Sequence, residues 1–209
     1  MADVSIKILE PADSFDLITL EELKVLLGMP TAADPAADPQ LNLLITVNSA
    51  VIAELTNRVF AKEKVQETWR CLGSRRVYLS HYPVKEADIE SVTTNGTDRL
   101  DYELEEATGK LSIFTNRTEP IIVTYTGGFD LPDEAPDALK QAVTLMVSTS
   151  KGEQAAAALT GVKMIAHKES RVMFHSDTGS SGGGGGSASS SGMRETVKTL
   201  LGHYVRHWV

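Results

Sequence analysis

Two histidines near the end of the chain, His203 and His207, stand one helical turn apart, a spacing at which two imidazoles can share a metal ion. A protein-bound zinc ion takes three or four donors from the chain, and no carboxylate or third histidine accompanies this pair. His81, His167 and His175 are scattered through the sequence, and we interpret each of them as an ordinary surface or core histidine. The sequence therefore predicts neither a metal site nor a cofactor.

The sequence also lacks the short motifs that carry common catalytic and nucleotide-binding chemistry. It has no G-x-x-x-x-G-K-[S/T] phosphate loop, no G-x-G-x-x-G after a strand, no G-x-S-x-G elbow between a strand and a helix, and no H-E-x-x-H. Gly127 and Gly128 precede a predicted helix, as the glycines of phosphate loops do, but no Lys-Ser/Thr pair follows them, which indicates a turn. We therefore do not expect an enzyme.

The composition is that of a globular protein outside the membrane. The chain has 209 residues, of which 42% are apolar, and no apolar run approaches the roughly 20 residues that a membrane helix needs. The start of the chain does not resemble a secretion signal, and Cys71 is the only cysteine, which excludes an internal disulfide and favours a cytosolic chain. One domain with additional segments is expected from this length.

Charge is distributed unevenly along the chain. The formal net charge is −8, which argues against a broad basic face that grips nucleic acid but allows a protein that surrounds it. Residues 1–60 hold nine acidic against three basic side chains, whereas Arg194, Lys198 and Arg206 outnumber Glu195 after the glycine run. An acidic body with a basic tail favours electrostatic docking on an acidic partner, and ordinary solvated surface charge is the alternative.

Three helices are predicted before the glycine-rich segment. Thr19-Leu-Glu-Glu is a capping box, which indicates a helix over 19–28. A second helix is expected over 38–60 and a third over 133–150. Asn48 interrupts the apolar stripe of the second helix, where it either has a satisfied hydrogen bond or fixes the register of a helix partner. The stripe is formed by Leu41, Leu44, Ile45, Val51, Ile52, Leu55 and Val59.

Between residues 64 and 126 the hydrophobic period changes to two, and short β-prone runs alternate with turn sequences such as Asn95-Gly96. The last run leads through a glycine pair into the third helix, so that Ile121–Met146 is expected to join sheet and helices. The sequence thus predicts an α+β fold, with a helical-bundle core, a small inserted antiparallel sheet, and a C-terminal helix on a flexible Gly/Ser linker. The main domain is expected to span 19–159.

The segments outside this domain are expected to be more mobile. Residues 1–18 form an N-terminal segment, 160–176 an extended arm or hairpin, and 177–192 a linker rich in glycine and serine. A break at Lys151-Gly152, followed by a short alanine-rich turn, precedes the arm. Residues 193–209 then form an amphipathic helix, whose apolar stripe either packs on its own domain or docks in a groove of a neighbour.

Several of these motifs follow one another in a recognisable order. They are the capping-box helix, LTNRVF at 55–60, Tyr82-Pro-Val with Ile89-Glu-Ser-Val, Tyr102-x-Leu with Gly109-x-Leu-x-Ile, Val123-Thr-Tyr-Thr-Gly-Gly-Phe129 with Leu139-Lys-x-Ala142, VKMIAHKESRVMF, and TVKTLLGHYVR. In their order and spacing they resemble the head–tail connector (adaptor) proteins of long-tailed bacteriophages and related prophages. The resemblance covers roughly residues 18–175 and 193–206, and the glycine tract departs from the family's pattern.

The resemblance implies a structural virion protein of the neck, assembled in the host cytoplasm. Such a protein forms a ring, typically twelvefold, under the portal vertex, extends the DNA channel and provides the platform for the next neck or tail protein. DNA passes through the ring without sequence-specific binding, and an acidic lumen would repel its phosphates and let it slide. No membrane contact, cofactor or catalytic role is implied.

Two segments are the candidate sites under this interpretation. The last helix is expected to dock on the portal protein, and the arm is expected to line the channel or to pair with the edge of a neighbouring subunit. The portal-docking residues are Arg194, Val197, Leu200, Leu201, Tyr204, Arg206 and Trp208, and the arm residues are Val162, Met164, Ile165, Val172 and Phe174. Another neck component, such as a stopper or tail-completion protein, is one alternative, and an enzyme or ligand-binding domain with a helical lid is the other.

Overall fold

The structure, a computed structural model, describes residues 3–70, 76–99, 101–113, 120–158, 164–167, 170–173 and 188–206. Its helices are α1 (Leu20–Leu26), α2 (Asp38–Thr56), α3 (Asp137–Ala158) and α4 (Ala188–Leu201). Its strands are β1 (Asp3–Glu10), β2 (Glu63–Arg70), β3 (Arg76–Tyr78), β4 (Ile89–Thr94), β5 (Thr97–Asp98), β6 (Tyr102–Glu105), β7 (Lys110–Ile113), β8 (Ile121–Gly127), β9 (Met164–His167) and β10 (Ser170–Met173). The ladders between these strands are antiparallel, so the predicted α+β class is confirmed.

Two sheets pack on one another where the sequence predicted a single inserted sheet. One has the strand order β1-β2-β8-β4-β5 and the other the order β3-β7-β6. Val65, Val123 and Tyr125 of the first sheet meet Val77 and Leu111 of the second in one buried cluster. Alternation along the chain predicts each strand but not its partner, because pairing depends on contacts that are distant in sequence.

The N-terminal segment, which was expected to be mobile, forms the edge strand β1. It pairs with β2 from Asp3 opposite Arg70 to Ile8 opposite Val65, before a bulge near its end. The expectation is wrong because the run DVSIKILE alternates with period two, and a strand of this length gains a full ladder of backbone hydrogen bonds on one side.

The helices enclose a second buried cluster. Burying a large aliphatic side chain stabilises a fold by about 1.5–3 kcal/mol relative to leaving it exposed, so this cluster holds the four helices together. Asn48, on the buried side of α2, donates its side-chain amide to the Leu44 carbonyl at 2.7 Å, which confirms that its hydrogen bond is satisfied. The buried members include Leu17, Ile18, Leu23, Leu41, Ile45, Ile52, Leu139, Ala142, Val143, Val147, Val197 and Leu201.

The ends of α1 and α2 follow from local capping. The Glu22 amide donates to Thr19 Oγ1 at 3.1 Å and the Glu22 carboxylate accepts from the Thr19 amide at 3.2 Å, so the predicted capping box is present. α2 ends at Thr56, four residues before the expected end, because Asn57 takes a left-handed conformation with φ of 50° and terminates the helix.

α3 is displaced along the chain from the helix expected over 133–150. It begins at Asp137, since the preceding residues form a turn in which the Glu134 amide donates to the Asp130 carbonyl at 2.8 Å. It then continues through Gly152 to Ala158, where a break was expected. A glycine inside a helix costs only about 0.5–1 kcal/mol relative to alanine, which is too little to end a helix that is otherwise well formed.

The glycine pair between β8 and α3 makes two close backbone approaches. A Cβ atom on Gly127 would lie 2.3 Å from the His81 carbonyl oxygen, and one on Gly128 would lie 2.3 Å from the Ala61 carbonyl oxygen. Gly128 also has a φ of +107°, which L-residues rarely adopt. This turn brings β8, the strand between β2 and β4, directly to the helical layer, as the sequence predicted.

Candidate functional site

The helix predicted to dock on the portal protein is present as α4, and it packs on its own chain. Val197 and Leu201 are 8% and 3% exposed within the helical cluster, and Leu200 and Tyr204 lie at the edge of that cluster. The helix begins at Ala188, within the expected linker 177–192, and ends at Leu201 with a turn after it, so it is shifted toward the N-terminus from the expected range 193–209. Of the two positions that the sequence allowed for the apolar stripe, packing on its own domain is the one observed.

Arg206, in the segment after α4, forms hydrogen bonds to both the helical layer and the sheets. Its amide donates to the Thr56 carbonyl at 2.9 Å, where α2 ends. Its guanidinium donates to Ser80 Oγ at 3.0 Å and to the Tyr78 carbonyl at 3.2 Å. Burial lowers the pKa of Arg206. This residue, expected on the charged rim of a docking surface, is therefore an internal anchor.

Arg58 lies in the same junction, although no sequence motif singled it out as functional. It is 7% exposed, its guanidinium carbon lies 3.5 Å from the centroid of the Tyr82 ring and 4.8 Å from that of Phe60, and it donates to the Tyr82 carbonyl. Tyr204 packs edge-on against Phe60 with ring centroids 6.0 Å apart. Burial lowers the pKa of Arg58 to about 10, so the group stays charged at neutral pH. The only local signal in LTNRVF is that Arg58 lies two residues before the aromatic Phe60.

Buried polar side chains continue the junction into the sheets. Glu63 Oε2 and His81 Nε2 are 2.9 Å apart, and both side chains are almost fully buried. Glu67 Oε1 accepts from the Tyr125 hydroxyl at 2.5 Å and from the Ser80 amide at 2.8 Å. Burial raises the pKa of Tyr125 well above its ordinary value, and the Glu67 charge adds to the effect. These contacts lock the residues after β3 to β2 and β8, which is a structural role and makes His81 the core histidine that we expected.

The predicted arm contains a two-stranded hairpin. Met164 pairs with Met173 and Ile165 with Val172 in the antiparallel ladder of β9 and β10. Of the remaining predicted residues, Val162 and Phe174 lie outside the described residues, as does Trp208 of the docking set.

α2 carries a second apolar stripe that faces solvent. Leu43, Val47 and Leu55 are 65%, 49% and 58% exposed, and with the half-buried Val51 they recur every four residues. Leu55, expected in the buried stripe, belongs to this outer face. No charged residue occurs between residues 39 and 53, so the outer face of the helix is apolar and nearly uncharged. Such depletion of charge is typical of the core of a protein interface and unusual for a solvated helix.

A groove of about 810 Å³ between α1 and the start of α3 is bordered by another apolar patch. Val25 and Leu26 of α1 are 63% and 57% exposed at this groove. Lys140 of α3 and Glu22 of α1 form an ion pair of 2.6 Å beside them. The helical layer therefore presents two different exposed apolar surfaces, one on α2 and one on α1.

Within the described ranges, no three His, Cys, Asp or Glu side chains lie close enough together to hold a metal ion. His203 is described and His207 is not, so the structure does not place the pair. None of the helices in the described part of the chain combines the length and the hydropathy needed to cross a membrane.

Comparison with solved structures gives matches over nearly the whole chain. A chain in a structure described as "Virion of native gene transfer agent (GTA) particle" matches with a TM-score of 0.56 and 12% identity, covering 98% of this chain and 96% of that one. A chain in "Neck of empty GTA particle computed with C6 symmetry" matches with a TM-score of 0.52 and 13% identity, over 98% and 97% of the two chains. One in "Neck of native GTA particle computed with C12 symmetry" matches with a TM-score of 0.52 and 14% identity, over the same shares. At these identities the likeness shows a shared fold.

The sequence comparison gives the family. No curated protein matches the chain significantly. A family model described as "Head completion protein" matches residues 16–156, which is more than half of the chain and includes α1–α3 and both sheets except for β1. The expectation of a phage head–tail neck family is thereby confirmed, and the chain belongs to the head completion protein family.

Proposed function

We propose that this protein is a structural subunit of the virion neck, where copies of it assemble side by side into a ring under the portal protein. The ring extends the DNA channel and provides the platform on which the next neck or tail protein attaches. It acts as an adaptor without catalysis and without a cofactor. Family membership supports the neck assignment, and the uncharged apolar outer face of α2 is the observation that carries the ring.

A ring needs two different surfaces on each subunit. In a head-to-tail contact one patch of a copy meets another patch of the next copy, and a ring results if the rotation closes. The α2 stripe with Leu43, Val47 and Leu55 is an exposed apolar ridge, and the groove beside Val25 and Leu26 is a concave surface that combines this apolar pair with charged side chains. We infer that the ridge of one subunit packs toward the groove side of its neighbour. Twelve copies is the number that the sequence resemblance implies.

The charge of the chain suits a conduit for DNA. With a net charge of −8 per subunit, a ring of many copies repels the phosphate backbone and gives DNA no site to grip. DNA therefore passes through the lumen without sequence-specific binding. Salt weakens this repulsion, since charges more than about 8–10 Å apart are screened at physiological ionic strength.

We propose that the C-terminal segment contacts the portal protein. Some of the predicted residues hold the segment on its own domain, and others face the partner. Val197, Leu201 and Arg206 hold the segment on its own domain, so they position the docking surface from behind. Lys198 is exposed on α4, and together with Arg194 it gives this helix a basic character suited to an acidic partner. The helix docks while it remains packed on the core.

Measurement of assembled mass tests the ring. Light scattering of the protein, alone and with purified portal protein, should report a ring for the unmodified chain. Val47→Glu should prevent ring formation, because it places a charge in the centre of an apolar contact. Thr46→Glu is the matched control, an adjacent exposed position on the same helix but outside the stripe, and it should assemble normally. Monomers of unmodified protein under both conditions, or full assembly of Val47→Glu, would contradict the proposal.

A further inference from the structure

Among the described residues, the edge strand β1 has no strand partner on one side, and some of its apolar side chains are exposed to solvent. It is eight residues long and hydrogen-bonds only to β2 within the described chain. Ile6 and Ile8 are 47% and 54% exposed, although their partners Glu67 and Val65 on the same face of the sheet are fully buried. The inter-sheet core therefore reaches β1 at Val4 and leaves Ile6 and Ile8 uncovered. A long, apolar, open edge is a ready template for another strand.

The β9–β10 hairpin also lacks a neighbouring strand among the described residues. Among the described residues its two strands form a ladder only with each other, so each has one open side. An isolated two-stranded hairpin is marginally stable in water, and a third strand is normally required to hold it. Its strands MIAH and SRVM supply apolar residues for a sheet surface, namely Met164, Ile165, Val172 and Met173.

Opposite charges also favour pairing between these two segments. Residues 1–18 contain four acidic side chains and one basic one, Lys7, whereas residues 160–176 contain Lys163, Lys168 and Arg171 against Glu169. β1 itself holds only Asp3 and Glu10 against Lys7, and Asp13 and Asp16 follow it in the chain. The acidic N-terminal segment and the basic hairpin segment attract one another, and electrostatic complementarity of this kind favours one partner over others. Two copies of the same segment would repel each other.

We propose that the β9–β10 hairpin of one copy adds to the free edge of β1 in the next copy, so that the five-stranded sheet continues across the subunit boundary. The inference rests on the proposed ring, in which neighbouring copies lie side by side. Donor and acceptor are different parts of the chain, so the contact is head-to-tail and leaves no unpaired β1 edge once the ring closes. The hairpin then holds two neighbouring subunits together. Of the two roles that the sequence allowed for the arm, pairing with a neighbour is the one we propose, and lining of the channel is not.

Cysteine crosslinking between two variants tests this pairing. In a Cys71→Ser background, chains carrying Ile6→Cys or Ile8→Cys are mixed with chains carrying Val172→Cys, allowed to assemble and then oxidised. Disulfide-linked dimers of the two different chains are expected in the assembled fraction. Thr97→Cys, on the exposed strand β5 at the opposite edge of the same sheet, is the control and should give no dimers with Val172→Cys.

The outcomes separate this proposal from the ring itself. Rings without crosslinked dimers overturn the β1 pairing and leave the ring intact. A crosslink that forms only within one chain carrying both Ile6→Cys and Val172→Cys overturns it as well, because the hairpin would then fold onto its own sheet. Absence of rings from the unmodified protein, with and without portal protein, overturns both proposals.

Hydrogen exchange on the unmodified protein gives a second readout that does not depend on the variants. On ring formation without portal protein, amides in residues 3–8 and in residues 164–173 should together exchange about tenfold more slowly, since both segments gain backbone hydrogen bonds. Unchanged exchange in either segment of the assembled ring would contradict the pairing.

Discussion

Two arginines, Arg58 buried and Arg206 partly buried, place positive charge at the junction of the helices and the sheets. The guanidinium of Arg58 lies among aromatic rings, and that of Arg206 donates to Ser80 Oγ and the Tyr78 carbonyl. A buried cation without partners is expensive, and here both cations are engaged by side chains or carbonyls from distant parts of the chain. The junction therefore requires α2, β3 and the C-terminal tail to be in place together.

Arg58→Ala should lower the free energy of unfolding by about 2–4 kcal/mol, because it removes the cation–π contact with Tyr82, one hydrogen bond and a buried side-chain volume. Arg70→Ala is the matched control. Arg70 is half exposed and pairs with Asp3 at 3.5 Å, so its removal should cost less than about 0.5 kcal/mol. Urea denaturation followed by circular dichroism measures the free energy of unfolding of both variants. Equal losses would contradict the stabilising role of the contacts around Arg58.

Local residues were easier to predict than these distant partners. The capping box of Thr19 and Glu22 could be predicted because both residues lie within one helical turn. Arg58 reaches the carbonyl of Tyr82, which is 24 residues away, and no periodic pattern encodes that contact. The same holds for Arg206, whose guanidinium donates to Ser80 Oγ, which is 126 residues away.

At the scale of elements, the unit formed by β8, the glycine turn and α3 connects the two layers of the molecule. β8 lies between β2 and β4, and α3 packs against α2 and α4. The turn between them passes within van der Waals distance of two backbone carbonyls, so only glycine fits at these positions. This unit sets the position of the helical layer relative to the sheets.

Gly127→Ala should destabilise the protein by about 3 kcal/mol, because its Cβ would fall 2.3 Å from the His81 carbonyl oxygen and the backbone would have to shift. Gly152→Ala, inside α3 with open space around it, should instead stabilise by about 0.5–1 kcal/mol. The two variants should shift the midpoint of thermal unfolding in opposite directions if Gly127 lies in this tight turn and α3 is continuous through Gly152. A loss of stability in Gly152→Ala would indicate that the helix is broken there.

α4 offers a test that separates its structural side from its docking side. Leu201→Ala should cost about 2–5 kcal/mol in unfolding free energy, since Leu201 is 3% exposed in the helical cluster. Lys198→Glu should leave stability unchanged, because Lys198 is exposed, and should weaken binding to portal protein if α4 is the docking helix. Denaturation and co-sedimentation with portal protein measure the two effects. Unaltered stability in Leu201→Ala would mean that α4 does not pack on the core.

The elements themselves were largely predictable, and their partners were not. The strands at 89–94, 110–113 and 121–127 lie close to where alternation placed them, because alternation reflects a half-buried surface. Division into two sheets could not be predicted, since it depends on which strands meet in three dimensions. β1 was missed for a related reason: Val4, Ile6 and Ile8 alternate, but the partner strand β2 lies far away in the sequence, so the short run alone did not indicate a ladder.

At the scale of the whole molecule, exposed apolar surface and charge point to assembly. The outer face of α2, the patch on α1 and the open edge of β1 each leave apolar side chains in solvent, which is costly for a free monomer and expected for a subunit. A head-to-tail ring buries all three at once, whereas a two-fold dimer would bury only one kind of surface twice.

Imaging of the protein bound to portal-bearing heads tests the central claim most directly. We expect a ring of this protein that is coaxial with the portal and lengthens the DNA channel, with the outer face of α2 at the boundary between subunits. With the Val47→Glu variant the portal should stay bare or carry only isolated subunits, and the control variant Thr46→Glu should form the ring as the unmodified protein does. A folded protein that leaves portal vertices undecorated, or a ring in which α2 faces solvent, would contradict the account.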